Sequence, residues 1–282
     1  MLYQKFSPSK ELAPFVECYF VWENDDMPPQ PMVVESPPNG FCSIVFNYAD
    51  PFHITNTKYV KLDVPKQFIA GQSIYTYSLT LPGRIGMAGI VFRPAALASI
   101  FGLPMYEFVE ERTDLYKIFR KEVVDQYVAL IGKGSGPEDR ARILEDFLME
   151  QLKVSSPKPD RIDESANQIV ELNGMVNISE LVKQSFMSRR TFERNFFQKV
   201  GLSPKYYVRI RRIAYICNLI AGKKEVDWPR ILYDLEYFDQ SHFIKDFENF
   251  TGRSPGQYLK LNNELVNYLE NKPVQQPFSP RE

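Results

Sequence analysis

The chain has 282 residues, 44% apolar and 14% aromatic, with a net charge of −1. Such a chain is globular and long enough for two domains, and no run of 18 apolar residues predicts a membrane span. Cys18, Cys42 and Cys217 are odd in number and widely spaced, so they form neither a disulfide framework nor a zinc ligand set and fit a reducing cytoplasm.

The first residues, MLYQKFSPSKELAPF, lack the basic-then-apolar pattern of a signal peptide. From there to about residue 115 the pattern predicts strands. CSIVFNY (Cys42 to Tyr48) is a short apolar run announced by the turn signal PPNG. Ser73 to Leu81 alternates as a half-buried strand, and Arg84 to Phe92 supplies another. Ala95 to Phe101 predicts a short helix closed by Gly102. Strands spaced by turns imply a small barrel or a sandwich. Phe68, Tyr75, Tyr77 and Phe92 are candidates to line an apolar pocket, with ordinary core packing as the alternative. His53 is alone in this half, so no metal cluster is expected. No Ser/His/Asp set, Cys/His pair or phosphate-binding loop can be assembled. Neither an enzyme nor a cofactor is therefore expected.

Lys117 to Leu130 and Pro137 to Leu152 turn helical. In the second, Ile143, Leu144, Phe147, Leu148 and Leu152 form one apolar stripe that needs a partner, either the strand domain or a second subunit. Lys153 to Asp160 is polar and proline-containing and predicts a linker. The expected organisation is an N-terminal domain over 1–152, the linker over 153–160, a helical domain over 161–260 and a tail over 261–282, loose after Asn271.

The helical domain repeats itself at an offset of 51 residues. Phe192, Phe196, Gly201, Ser203, Pro204 and Tyr207 recur as Phe243, Phe247, Gly252, Ser254, Pro255 and Tyr258, with Leu181 matched by Leu232. Ser188 and Asp239 occupy equivalent places as N-caps. The paired Phe residues at i and i+4 share a helix face. Each glycine ends its helix, and Ser-Pro starts the next. Upstream, Ile178, Leu181 and Val182 make an apolar stripe followed by a turn at Gln184 to Met187. Two short helices joined in this way are a helix-turn-helix, whose second helix enters the major groove of DNA.

From about Ile162 to Lys260 the sequence resembles the DNA-binding domain of the AraC/XylS family of bacterial transcription regulators. The stretches SRRTFERNFFQKVGLSPKYYVRIRRIAYICNLI and DQSHFIKDFENFTGRSPGQYLK carry the likeness. The resemblance implies two helix-turn-helix units joined by a rigid helix, Ser203 to about Ala221, roughly 28 Å long. It implies base-facing positions at Arg190, Glu193 and Arg194, with Arg189 beside them. In the second unit the matching positions are Ser241, Ile244 and Lys245, flanked by Gln240 and His242. Arg209 and Arg212 on the joining helix are candidates for phosphate contact. In that family a cupin-like barrel often precedes the reader and binds an effector. The implied fold is thus a two-domain α+β protein with an all-α C-terminal domain.

Charge is uneven. Lys183 to Arg212 holds nine Lys/Arg against one acid, and Glu225 to Glu248 holds two against seven. Phosphate contacts supply much of DNA affinity, so the first unit is expected to anchor the chain. Asp239 and Asp246 are expected to repel phosphate in the second, with the alternative that Asp246, four residues after His242, points away from DNA. The expected function is sequence-specific transcription regulation in the cytoplasm. Expected partners are double-stranded DNA, a small-molecule effector, a second copy of the chain, and RNA polymerase if the protein activates; no membrane partner is expected. The alternatives are a protein-interaction module on a helix-turn-helix scaffold, or a DNA-binding domain fused to a repair or small-molecule enzyme.

Overall fold

The computed structural model describes residues 1–155, 157–223, 225–235, 237 and 239–261. The expected loose tail after Asn271 lies outside the described residues. Strands occupy the first part of the chain: β1 (Leu2–Phe6), β2 (Val16–Asn24), β3 (Met32–Ser36), β4 (Cys42–Asn47), β5 (His53–Thr55), β6 (Leu62–Asp63), β7 (Gln67–Ala70), β8 (Tyr77–Leu81), β9 (Ile85–Phe92) and β10 (Arg112–Asp114). They form two separate antiparallel sheets, ordered β1-β2-β9-β4-β7-β10 and β3-β8-β5-β6. The sandwich is therefore the right alternative. The cupin-like barrel is not closed, because among the described residues no ladder joins the two sheets.

Side chains alternate across the six-stranded sheet with the period of two that the pleat imposes. Tyr3, Trp22, Val45, Phe68 and Met87 face inward against Val34, Ile54 and Leu79 of the second sheet. Tyr19, Val21, Ile44, Phe46, Ala88 and Ile90 point the other way, into a second core. Three helices cover that face: α1 (Ala96–Phe101), α2 (Lys121–Lys133) and α3 (Pro137–Ser155). The α3 stripe Ile143, Leu144, Phe147, Leu148 and Leu152 is buried there, so its partner is the sheet of its own chain.

Three boundaries differ from the sequence expectation. The strand expected over Ser73–Leu81 is confined to Tyr77–Leu81. The residues before it leave the ladder because the backbone N–H groups of Ile74 and Tyr75 donate to the Glu110 carboxylate. The first turn expected at Lys117 is instead a 3-10 turn, Leu115–Lys117, capped by Asp114. Helix α3 continues through Ser155, and Asp160 caps the next helix in a reciprocal capping box with Asp163. Both ends of the expected 153–160 linker are thus absorbed into helical structure.

The C-terminal helices are α4 (Arg161–Glu171), α5 (Ile178–Gln184), α6 (Arg189–Val200), α7 (Pro204–Ile220), α8 (Trp228–Asp234), α9 (Gln240–Thr251) and α10 (Pro255–Leu261). The local signals act as the sequence reads. Ser188 and Asp239 accept the N3 amides Thr191 and His242, and Ser203 caps α7 with Pro204 at its first position. Gly201 and Gly252 close α6 and α9 at φ 89° and 72°, a left-handed conformation that glycine adopts at low cost. Phe192, Phe196 and Tyr207 of the first unit and Phe243, Phe247 and Tyr258 of the second are buried in one continuous core. Truncating one such Phe to Ala removes about 3–5 kcal/mol. Among the described residues, no helix is long and apolar enough to cross a membrane.

Candidate nucleic-acid interface

Helices α5 and α6 form the first helix-turn-helix, and α8 and α9 the second. Helix α7, 17 residues long, measures about 26 Å and packs against α4, α6 and α9. It therefore fixes one unit relative to the other. The turn of the first unit is made by Phe186 at φ 57°. Ser185 satisfies that turn by donating to the Val182 carbonyl and accepting from the Met187 amide.

On α6, Arg189, Arg190, Glu193 and Arg194 are all exposed. Arg189 is engaged: it lies 3.4 Å from Glu193 and donates to the Ser179 hydroxyl at 3.0 Å. Arg190 and Arg194 form no ion pair or hydrogen bond among the described residues. Their guanidinium forks are thus available for the bidentate pairing that arginine makes with guanine. On α9, Gln240, Ser241, His242 and Lys245 are exposed, whereas Ile244 is half-buried and packs on the core. His242 Nε2 lies 3.8 Å from Asp246. A groove lined by Ser179, Lys205 and His242 runs between the units across α7.

Two residues expected on phosphate are half-buried and already engaged within the domain. Arg209 donates from Nε and Nη2 to both oxygens of Asp246, at 3.2 and 2.7 Å. Arg212 Nε donates to the Gly174 carbonyl at 2.9 Å. Helix α7 is the shared wall of the two units, so these side chains tie its neighbours together while lining the groove between them. Asp246 is itself only 5% exposed and is no surface source of repulsion. Asp239 is occupied as the α9 cap.

The charge asymmetry shrinks accordingly. Lys199 pairs with Asp160 and Asp163 at 2.8 and 2.6 Å, and buried Arg211 donates to the Asn39 carbonyl. With Arg209 and Arg212, four of the nine basic residues between Lys183 and Arg212 are engaged within the chain. Lys183, Arg189, Arg190, Arg194 and Lys205 are the exposed ones.

The N-terminal domain grips the same turn of both units, a feature the sequence reading missed. In the first unit Phe197 stacks on Tyr106 at 5.4 Å. A Cβ built on Gly201 would stand 2.7 Å from the Met105 carbonyl. In the second unit Arg253 makes a fork-to-fork pair with Glu35, both contacts at 2.6 Å. The Phe250 carbonyl accepts from the Thr76 amide at 3.1 Å. One signal was present in the repeat: Arg253 stands where the first unit has Leu202, a buried residue. Between these grips, Tyr207 donates to the Gly40 carbonyl at 2.8 Å.

The geometry defines a DNA-binding domain with two helix-turn-helix units on one chain. Residues 181–261 match a family described as a helix-turn-helix domain, and residues 4–114 match a domain of unknown function (DUF6597). An uncharacterized HTH-type transcriptional regulator of Haemophilus influenzae is 31% identical over 87 residues, covering 30% of this chain and 28% of that protein. The match therefore spans little more than a quarter of that relative's length. Among solved structures, ToxT from Vibrio cholerae shares 12% identity at a TM-score of 0.43, over 86% of this chain and 98% of that one. ToxT bound to (E)-4-(8-methylnaphthalen-1-yl)but-3-enoic acid shares 13% at 0.44, over 93% and 99%. Residues 181–261 of this chain are a helix-turn-helix domain.

Proposed function

We propose that the protein is a sequence-specific transcription regulator of the AraC type that binds duplex DNA in the cytoplasm. Residues 161–260 act as the reader, 1–152 as the effector-sensing and dimerising part, and 153–160 as the short connection. Helix α6 reads bases through Arg190 and Arg194, and α9 makes the second contact through Gln240, Ser241, His242 and Lys245. Arg189 and Glu193 hold one another and adjust the helix start. RNA polymerase is the further partner if the protein activates.

The observation that carries this reading is the pair of exposed, uncommitted arginines on a capped recognition helix. A regulator is favoured over a repair enzyme that works through a reactive cysteine, because the thiols of Cys18 and Cys42 are both pushed up to about 12 by burial, which leaves them protonated and unreactive at neutral pH. The test uses the full chain on a duplex obtained by in vitro selection. Arg190→Ala and Arg194→Ala should each lose about 1–3 kcal/mol on the selected site and little on random DNA. Equal losses on both duplexes would remove the base-reading role.

A further inference from the structure

The space between the two sheets is a cavity of about 170 Å³. Its walls are aromatic and apolar, with Phe20, Phe52, Phe68, Tyr77 and Met87 among them. Of the sequence candidates for a pocket, Phe68 and Tyr77 stand here. Phe92 belongs to the core on the opposite face of the sheet, and Tyr75 does not reach the cavity.

Two polar groups in this wall lack the partners their chemistry calls for. Arg112, on β10, is 8% exposed. It donates to the Glu111 carbonyl at 2.9 Å and to the Ser73 hydroxyl at 3.2 Å, and its guanidinium lies 4.8 Å from the Tyr77 ring centre. All of these are neutral partners, and Arg112 forms no ion pair among the described residues. The acids nearest in sequence are engaged elsewhere. Glu110 binds Asn56 and the Ile74 and Tyr75 amides, Glu111 binds Lys58 and Tyr59, and Asp114 caps Tyr116. The second group is Trp22, 3% exposed, whose indole N–H has no hydrogen-bond partner. A buried cation without a counter-charge is costly to the fold, and so is a buried donor without an acceptor. Their occurrence together, in the wall of one apolar cavity, matches a ligand that brings both.

We propose that this cavity binds a small monocarboxylate whose apolar part is about the size of a single ring. The carboxylate pairs with the Arg112 fork, and the apolar part packs among the aromatic side chains. A cavity of ~150 Å³ lined by apolar residues holds a benzene ring, so the volume here suits that class. Phe41 lies in the same wall and stacks under Arg211 of α7 at 4.6 Å, which places the cavity next to the helix that joins the two units. The inference deepens the reading of the first domain as the sensing part. Its test is made without DNA, so its failure is distinct from failure of DNA recognition.

Titration calorimetry on the full chain compares benzoate with its neutral analogue benzamide. Benzoate should bind saturably, benzamide about tenfold or more weaker, and Arg112→Met should weaken benzoate to the same degree. Trp22→Phe, which keeps an aromatic side chain and removes the N–H, should weaken it by a smaller factor. No saturable benzoate binding, or equal affinity for benzoate and benzamide, would overturn the proposal. Unchanged benzoate affinity in a folded Arg112→Met chain would do the same. If that variant fails to fold, the benzoate-to-benzamide comparison on the wild-type chain decides.

Discussion

Asp246→Asn isolates the contact that joins the two DNA-reading units. The substitution keeps the shape of the side chain and removes the charge facing Arg209, which then remains next to α9 without its counter-ion. Breaking a fully buried ion pair from one side costs about 3–5 kcal/mol, and an exposed pair contributes about 0.2–1 kcal/mol. Here the carboxylate side is 7% exposed and the arginine side 32%, so solvent relieves part of the loss and about 2 kcal/mol is expected. For a chain of this size that lowers Tm by roughly 4–8 °C. Asp246→Lys should fall further, because two cations would then face each other. Asp239→Asn is the control: it changes the same charge on the same helix but retains the cap. Differential scanning calorimetry reads the stability, and hydroxyl-radical footprinting reads whether the α9 segment loses protection while the α6 segment keeps it. If Asp246→Asn melts with the wild type, or if Asp246→Lys tightens DNA binding without loss of stability, the ion pair is not a structural joint.

Glu35→Gln or Arg253→Gln should release the second unit from the N-terminal domain, at a cost of about 1–3 kcal/mol for a charge-assisted pair that is partly buried; hydrogen exchange should then speed up in α9 and β3 and stay unchanged in α6. Arg212→Ala should lower thermal stability rather than weaken binding to all DNA sequences alike, as phosphate contact would require, and a salt titration of DNA affinity separates the two. Cys18 and Cys42, held near 12 by burial, should resist iodoacetamide at neutral pH in the native chain and react only after denaturation. The thiolate becomes available only as pH rises toward that value. Rapid native labelling at pH 7 would show that these sites open.

The repeat, the caps and the glycine stops were readable because each is local: Ser188 reaches Thr191, Asp239 reaches His242, and Gly201 ends the helix it follows. The exposed face of α6 follows from the same arithmetic, since Phe192 and Phe196 bury one side and leave Arg190 and Arg194 on the other. What charge counting could not show was where the other basic residues point. Arg209 finds its acid 37 residues away and Arg253 finds Glu35 at a distance of 218. No spacing rule reaches across such separations. A net charge summed along the chain therefore overstates the first unit's surface charge and the second unit's acidity.

The sequence by itself determined the helices of the C-terminal domain, their order and their capping, because hydrogen bonds within three or four residues and a 3.6-residue apolar period are written in adjacent letters. It also determined that the first part is built of strands. Tertiary structure alone decided that those strands make two facing sheets, that α3 covers one of them, and that Arg112 and Trp22 share a cavity wall. It also decided that the N-terminal domain holds both reading units by equivalent turns. Those outcomes depend on which surfaces exclude water together and which charges are brought within ion-pair distance. Both are properties of packing between segments far apart in the chain.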